Sequence, residues 1–271
     1  MIAVNAQDVV VEIGSMPILV HTTSPEFVEI LEKRYGAYVN PTAKPVFEFE
    51  LEIVSSASLS GALDPDEDLS VRFEQGQWVL ERGDFHAELD SNLRHGRIRQ
   101  TAAPYAIDAA FRIVHSLILA KQGGLLVHSA SVVRNGRAFL FAGVSGAGKT
   151  TISRLAPADA TLLTDEISYI RREGDGYIAF GTPFSGELAQ HGDNVCAPLA
   201  AVYLLRQGPE NRIDPVSEAD AVRAVMESVL FFAHDTELVG HVFDSVCNLV
   251  QTVPVRRLTF VPDSRIWELI G

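Results

Sequence analysis

The sequence predicts an α/β protein, an α+β arrangement built on a mixed sheet. Three observations carry this prediction. Short apolar segments separated by turn residues fill residues 1–100, and helical patterns interrupt the strands from residue 104 onward. An antiparallel pair of strands, rather than a parallel βαβ unit, leads into a glycine-rich loop over residues 143–150. We therefore expect a β-rich domain over residues 1–100 and a second domain over residues 101–271.

In the first region the strands are short and the turn signals are clear. One helix is predicted over residues 25–34, because Pro25 suits a first helical turn and Phe27, Ile30 and Leu31 share one face. Residues 55–68 are rich in Ser, Gly, Asp and Pro, which predicts an exposed loop. We find no catalytic constellation here. Strands are predicted at 9–13, 18–21, 46–53, 71–73, 78–81 and 85–89.

In the second region helices and strands follow one another. A helix over residues 104–121 carries an apolar stripe that includes Phe111 and Val114, with His115 on the opposite face and therefore expected to be exposed. A second helix is predicted over residues 217–232, with Ser217 as N-cap and an apolar face that includes Ala219 and Val225. Further helices are predicted at 151–155 and 236–250, and strands at 125–133, 137–142, 160–164, 167–171, 177–180, 200–206 and 255–261.

Composition excludes several classes of function. The chain of 271 residues has a formal net charge of −13, which argues against non-specific binding to nucleic acids or anionic membranes. It has no apolar run long enough to span a bilayer, and its first residues lack the pattern of a secretory signal. Cys196 and Cys247 show no metal-ligand spacing, so we expect free, buried thiols in a reducing cytoplasm.

One motif indicates chemistry directly. Gly143, Gly148, Lys149 and Thr150 occupy the fixed positions of the phosphate-binding pattern G-x-x-x-x-G-K-[ST]. In this pattern backbone N–H groups surround a phosphate chain, the lysine reaches the β- and γ-phosphates, and the hydroxyl binds Mg²⁺. We predict binding of ATP and Mg²⁺, although no motif separates ATP from GTP. The predicted nucleotide-binding residues are Gly143, Val144, Ser145, Gly146, Ala147, Gly148, Lys149, Thr150 and Thr151.

Four further residues are candidates for the site. Asp165 and Glu166 end an apolar strand shortly after the loop, where a carboxylate can hold Mg²⁺ or accept a proton from a hydroxyl. His128 lies within an apolar strand and is either a core residue or a group that orients Asp165. Glu187 follows a small-residue turn that could fold over the phosphates. The predicted metal ligands are Thr150, Asp165, Glu166 and Glu187.

These motifs together resemble the HPr-kinase-related family, whose core fold is shared with ATP-dependent phosphoenolpyruvate carboxykinase. The similar segments are those around His128, the glycine loop, the acidic pair and residues 181–187, within residues 104–265. The resemblance implies a mixed-sheet P-loop kinase domain in which Asp165 acts as base and His128 supports it. Glu166 stands where the family mostly has Asp, and the Ile-Arg-Gly stretch of true HPr kinase/phosphorylases is absent.

The expected function is therefore an ATP- and Mg²⁺-dependent kinase acting on a hydroxyl, with Asp165, Lys149 and His128 as catalytic residues. The expected acceptor is a serine of a small protein or peptide, for example a lasso-peptide precursor, because related proteins act on such hydroxyls. The resemblance also implies assembly into homo-oligomers. Two alternatives remain open: a nucleotide-binding sensor or scaffold without phosphotransfer, and a kinase of a small molecule such as free serine.

Overall fold

The structure is a computed structural model that describes residues 7–59 and 69–270. Most of the loop predicted over residues 55–68, and most of the N-terminal stretch assessed as a signal, lie outside those residues. The described chain divides into two compact units. The first holds the residues up to Ile118 with Phe231–Val239, and the second holds Leu119–Leu230 with the residues from Gly240 onward. The division falls within a helix, 18 residues beyond the predicted domain boundary at residue 100.

The first unit is built on a seven-stranded mixed sheet with the strand order β1-β2-β3-β7-β6-β5-β4. The β2–β3 and β3–β7 pairs are parallel, and the other neighbours are antiparallel. Six of these strands confirm the predicted ones. The strands are β1 (Gln7–Ile13), β2 (Met16–Thr22), β3 (Phe47–Ile53), β4 (Ser70–Glu74), β5 (Gln77–Arg82), β6 (Phe85–Asp90) and β7 (His95–Gln100).

Helix α1 (Pro25–Tyr35) connects β2 to its parallel neighbour β3. The Ser24 hydroxyl caps its first turn by accepting a hydrogen bond from the backbone N–H of Phe27 at 3.2 Å. Phe27, Leu31 and Tyr35 recur at a spacing of four residues and are buried. The predicted helix is therefore confirmed, and its buried face explains why it covers the sheet.

The second sheet is also mixed, because β9 lies between antiparallel β8 and parallel β13. Its main path has the strand order β10-β8-β11-β12-β13-β15-β14. The protein is thus an α+β protein with two mixed sheets. The remaining elements are α2 (Tyr105–Gln122), β8 (Leu125–Arg134), β9 (Arg137–Ala142), α3 (Lys149–Arg154), β10 (Thr161–Thr164), β11 (Ile167–Glu173), β12 (Gly176–Phe180), β13 (Cys196–Gln207), β14 (Arg212–Pro215), α4 (Glu218–Ser228), α5 (Thr236–Thr252) and β15 (Val255–Phe260).

Two predictions about α4 were wrong in detail. The helix ends at Ser228 and not at residue 232, because Val229 forms a β-bridge with Val127 and the N–H of Leu230 donates to the carbonyl of Leu126 at 2.8 Å. Pairing with the first residues of β8 therefore replaces further helical hydrogen bonds. The buried residues of α4 are Ala221 and Val225, whereas Ala219, which was predicted on the apolar face, is exposed.

Three further side chains differ from their predicted burial. His115 was expected to be exposed, but it is fully buried in α2, and burial lowers the pKa of its imidazole to about 3. The middle of α2 is buried on nearly every side, so it has no solvent-facing side at that position. Cys196 was expected to be buried but is exposed at the start of β13, and Cys247 is half-buried; both thiols are free.

Within residues 7–59 and 69–270, no helix has both the length and the apolar character needed to cross a membrane.

Candidate functional site

The glycine loop connects β9 to α3, in the order that the sequence predicts. Gly146 and Gly148 have φ angles of 77° and 108°, a backbone conformation that favours glycine. A Cβ atom at Gly148 would lie 2.5 Å from the ring of Phe260, so the loop backbone packs directly against the end of β15. The loop therefore requires glycine at residue 148 for both conformation and space.

Strand register brings His128 to the start of this loop. In the antiparallel β8–β9 pair, Ser129 lies opposite Ala142, the last residue of β9. His128 is the next residue of β8, so it lies level with the point where β9 ends and the glycine loop begins. On its other side His128 lies opposite Ile167, the first residue of β11, which follows the acidic pair directly. The central strand β8 thus carries His128 between the glycine loop and the acidic pair.

A cavity of about 300 Å³ lies at this end of the sheet. It brings together most of the sequence-predicted site residues from five separate stretches of the chain. Its lining residues are His128, Ser145, Gly146, Gly148, Lys149, Thr150, Thr151, Asp165, Glu166, Glu187 and Gln207. Three predicted loop residues do not line the cavity: the Val144 side chain is exposed, Ala147 packs into the core, and Gly143 contributes its carbonyl to Lys149.

Lys149 lies inside the loop, against the loop's own carbonyl groups. Its ammonium group donates to the carbonyl oxygen of Gly143 at 2.9 Å and to that of Val144 at 3.4 Å. Burial lowers the pKa of Lys149, and the carboxylates of Glu166 and Glu187 oppose that shift. The lysine is therefore a partly desolvated cation with two carboxylates near it.

The two members of the acidic pair have different surroundings. The Glu166 side chain is 34% exposed, and its Oε1 lies 3.5 Å from Nδ1 of His128. The Asp165 residue is only 1% exposed, and its Oδ1 and Oδ2 accept backbone N–H groups from Gly186 and Leu188, each at 2.8 Å. His128, which was expected to orient Asp165, is therefore paired with Glu166.

Three of the four candidate metal ligands offer oxygen atoms to the cavity without being buried like Asp165. Thr150, Glu166 and Glu187 line it, and hydroxyl and carboxylate oxygens are the ligands that Mg²⁺ prefers. In the part of the chain that the structure describes, no group of three or more His, Cys, Asp or Glu residues could hold a metal by itself. The residues present fit Mg²⁺ in its usual role, held by one or two carboxylates together with substrate phosphates.

Sequence analysis missed Gln207, which lines the cavity from the end of β13. Its Nε2 donates to the carbonyl oxygen of Gly146 at 2.7 Å. Strand β13 runs parallel to β9, with Leu204 opposite Ala142, so its last residues extend alongside the glycine loop. A single glutamine carries no sequence signal of its own. The signal that could have found it is the pairing of β13 with β9, because parallel neighbours end at the same edge of a sheet.

This combination of a mixed sheet, a glycine loop and a polar cavity at its end was compared with known proteins. The family model of the SynChlorMet cassette protein ScmC matches residues 105–271, more than half of the chain. The chain belongs to this family. No curated protein matches it.

Among solved structures, the HPr(Ser) kinase/phosphatase from Coxiella burnetii is similar over 50% of this chain and 78% of that chain. The identity is 10% and the TM-score is 0.27, which is too low to establish a common fold.

Proposed function

We propose that this protein is an ATP- and Mg²⁺-dependent kinase that transfers the γ-phosphoryl group of ATP to a hydroxyl. The acceptor class that we propose is a serine of a small protein or peptide. One observation carries the proposal: Lys149, the glycine loop and His128 share one cavity with the buried Asp165, the half-buried Glu166 and the exposed Glu187. A phosphate-binding lysine, oxygen ligands for Mg²⁺ and a proton acceptor are the groups that phosphoryl transfer requires.

The glycine loop and Lys149 are suited to hold the phosphates. Lys149 donates to two neutral carbonyl oxygens, and phosphate oxygens accept stronger hydrogen bonds from an ammonium group. The same lysine would stabilise charge on the phosphoryl group during transfer. Thr150 and Glu187 are suited to hold Mg²⁺, which supplies charge neutralisation between the phosphates when it is bound.

The acceptor hydroxyl needs a carboxylate to take its proton. Its oxygen forms a bond to the γ-phosphorus, the bond from that phosphorus to the oxygen that bridges to the β-phosphate breaks, and the proton passes to the carboxylate. Asp165 as this base stays a prediction. The exposure of Glu166 and its position beside His128 support Glu166 as the proton acceptor, since Asp165 is buried with both oxygens engaged.

Label transfer from γ-labelled ATP tests the proposal. The purified chain is incubated with Mg²⁺, labelled ATP and either serine-containing peptides or free serine, and products are identified by mass spectrometry. We expect labelled peptide, and we expect Glu166→Gln to reduce kcat by about 10²- to 10⁴-fold, the usual contribution of a general base.

Each other outcome has a distinct meaning. Labelled free serine would identify a small-molecule kinase, and ATP binding without transfer to any hydroxyl would favour a sensor or scaffold. No binding of Mg²⁺–ATP at millimolar concentration would refute the proposed function. Full activity of Glu166→Gln together with loss of activity in Asp165→Asn would return the role of base to Asp165.

A further inference from the structure

We propose that Asp165 is a positioning residue that fixes Glu187 in the cavity by holding the backbone on both sides of it. The inference rests on the proposed function, because it assigns to Glu187 a contact with Mg²⁺–ATP. It differs from the sequence-based prediction, in which Asp165 itself takes the proton. In this proposal the buried carboxylate of Asp165 has a different task from the more exposed carboxylates of Glu166 and Glu187.

The hydrogen bonds of Asp165 are the first support. Its Oδ1 accepts from the N–H of Gly186 and its Oδ2 accepts from the N–H of Leu188, both at 2.8 Å. These two donors are the immediate neighbours of Glu187 in the chain. A buried carboxylate with one backbone N–H on each oxygen forms charge-assisted hydrogen bonds, which are stronger than neutral ones. Asp165 therefore holds the backbone around Glu187 as a two-pronged clamp.

The rest of the segment shows why this clamp matters. Both ends of residues 181–195 are tied to the second sheet by backbone hydrogen bonds. At the first end, the N–H of Thr182 donates to the carbonyl of Leu163 at 3.0 Å; at the other, the N–H of Asp193 donates to that of Leu162 at 2.9 Å. Between these ties the Thr164 hydroxyl also donates to the carbonyl of Phe184 at 3.3 Å. The tip itself, residues 186–188, is joined to this part of the sheet by the two hydrogen bonds to Asp165. The position of Glu187 thus depends on that carboxylate.

Close packing at Gly186 is the second support. A Cβ atom at this residue would lie 2.7 Å from Oε2 of Glu166 and 3.0 Å from Oδ2 of Asp165. The tip backbone therefore lies directly against both members of the acidic pair. A Cβ atom here would displace the flexible end of Glu166 and would crowd Oδ2 of Asp165, so Gly186→Ala disturbs the clamp while leaving the Asp165 side chain in the protein.

Electrostatics agrees with this division of tasks. Glu166 and Glu187 both raise the pKa of Lys149 against the effect of burial, so both lie close enough to act on the phosphate-binding cation. The charge of Asp165 is directed at backbone N–H groups and not at the lysine.

The first experiment measures the clamp without nucleotide. In hydrogen–deuterium exchange of the full chain, Asp165→Asn should accelerate exchange of the amides in residues 183–190 by about tenfold, because asparagine has one acceptor oxygen and can accept from only one of the N–H groups of Gly186 and Leu188. Exchange in β10 and β11 should not change. Glu187→Gln is the matched control and should leave exchange unchanged, since its side chain makes no part of the clamp. Unchanged exchange in Asp165→Asn would overturn the proposal.

The second experiment is a double-mutant cycle on Mg²⁺–ATP affinity, measured by calorimetry. Asp165→Asn and Glu187→Gln should each weaken binding by about tenfold, and the double variant should be no weaker than Glu187→Gln alone, because Asp165 acts through Glu187. Additive losses would show that Asp165 contacts the ligand independently. Should Asp165→Asn fail to fold, Gly186→Ala tests the same contact in the exchange experiment: faster exchange in residues 183–190 is expected, and unchanged exchange would overturn the proposal. If the wild-type chain does not bind ATP, the proposed function fails, while the exchange experiment still decides whether the clamp exists.

Discussion

The two sheets use charged residues in opposite ways. On the first sheet, the acidic residues of β3 lie directly opposite the basic residues of β7, so that Glu50 meets Arg97 at 3.0 Å and Glu52 meets Arg99 at 3.3 Å. On the second sheet, Lys149, Glu166 and Glu187 lie beyond the ends of strands, around a cavity. The position of the charged residue relative to its strand explains the difference. A charged residue in the middle of a strand pairs with its neighbour on the adjacent strand, whereas charged residues beyond the strand ends face a common cavity.

Cavity size alone therefore does not identify the site. A cavity of about 410 Å³ lies over the first sheet, but its lining includes Glu50 and Arg97, which already form an ion pair with each other. The cavity of about 300 Å³ at the second sheet is smaller, yet it contains a partly desolvated lysine in a glycine loop. The comparison shows that the chemistry of the lining, and not its extent, separates the two.

The largest expected effect separates the cations of the two sheets. If the proposed function holds, Lys149→Ala should reduce phosphoryl transfer by about 10²- to 10³-fold, because it removes a preorganised positive charge from the proposed phosphate site. Arg97→Ala is the control, since this exposed arginine pairs only within the first sheet. Labelled-ATP transfer and thermal unfolding are measured for both variants. Equal loss of activity in the two variants would contradict the contrast drawn here.

A partly buried ion pair in the first unit, in which Asp108 is buried and Arg34 is half-buried, should give the next largest effect, on stability and not on activity. Asp108 accepts hydrogen bonds from Nε of Arg34 at 2.9 Å and from the hydroxyl of buried Tyr35 at 2.6 Å. Asp108→Ala should lower the free energy of unfolding by about 3 kcal/mol, because it leaves both partners without their acceptor. Urea unfolding measures this change. A loss below 1 kcal/mol would show that the network behaves like an exposed surface pair.

The buried histidine predicts a dependence of stability on pH. Burial lowers the pKa of His115 to about 3, below its ordinary value of 6.5. As the pH falls below 6.5, the unfolded chain binds the proton before the folded chain does. The contribution of neutral His115 to the free energy of unfolding is therefore fully present above pH 6.5 and is lost progressively toward pH 3. The slope reaches up to about 1.4 kcal/mol per pH unit. In His115→Phe, the free energy of unfolding measured with urea should depend less steeply on pH between pH 6 and pH 4. The same pH dependence in the variant and the wild type would contradict the low pKa of His115.

The smallest effect is expected from the exposed charge pairs of the first sheet. Glu50→Gln should lower the free energy of unfolding by less than about 1 kcal/mol, because Glu50 and Arg97 are both largely exposed and screened by solvent. ATP binding should be unaffected. The comparison with Asp108→Ala in the same unfolding assay separates exposed from buried pairing. A loss as large as that of Asp108→Ala would mean that the charged face of β3 and β7 supports the fold more than its exposure suggests.

Sequence patterns predicted most of the helices and strands, because apolar periodicity and turn residues report directly on local structure. The exceptions have physical causes. In β7 only Ile98 is a large apolar residue, and its charged neighbours find partners on β3, so the strand exists through cross-strand pairing that its own sequence does not indicate. The last predicted turn of α4 was lost for the same reason, because β8 supplies sheet partners to Val229 and Leu230.

At the candidate site, sequence identified the types of residue better than their tasks. The motif pattern located Lys149, the acidic pair and His128, and the structure brings them to one cavity. It named Asp165 as the base, which stays a prediction, but it could not show that the two adjacent side chains point in different directions. One is turned toward the backbone of residues 186–188 and the other toward His128. Gln207 was missed because it is remote in sequence and is joined to the loop only through β13.

The sequence by itself determined the glycine loop, the strands and helices that flank it, and the residue types available for phosphate chemistry, because these depend on neighbours within a few positions. Only the tertiary structure decided which carboxylate is buried, which partner His128 has, and how Glu187 and Gln207 reach the cavity. Those features depend on strand register and on a loop folding back across the sheet. They are set by hydrogen bonds and packing between residues far apart in the chain, which local patterns do not encode.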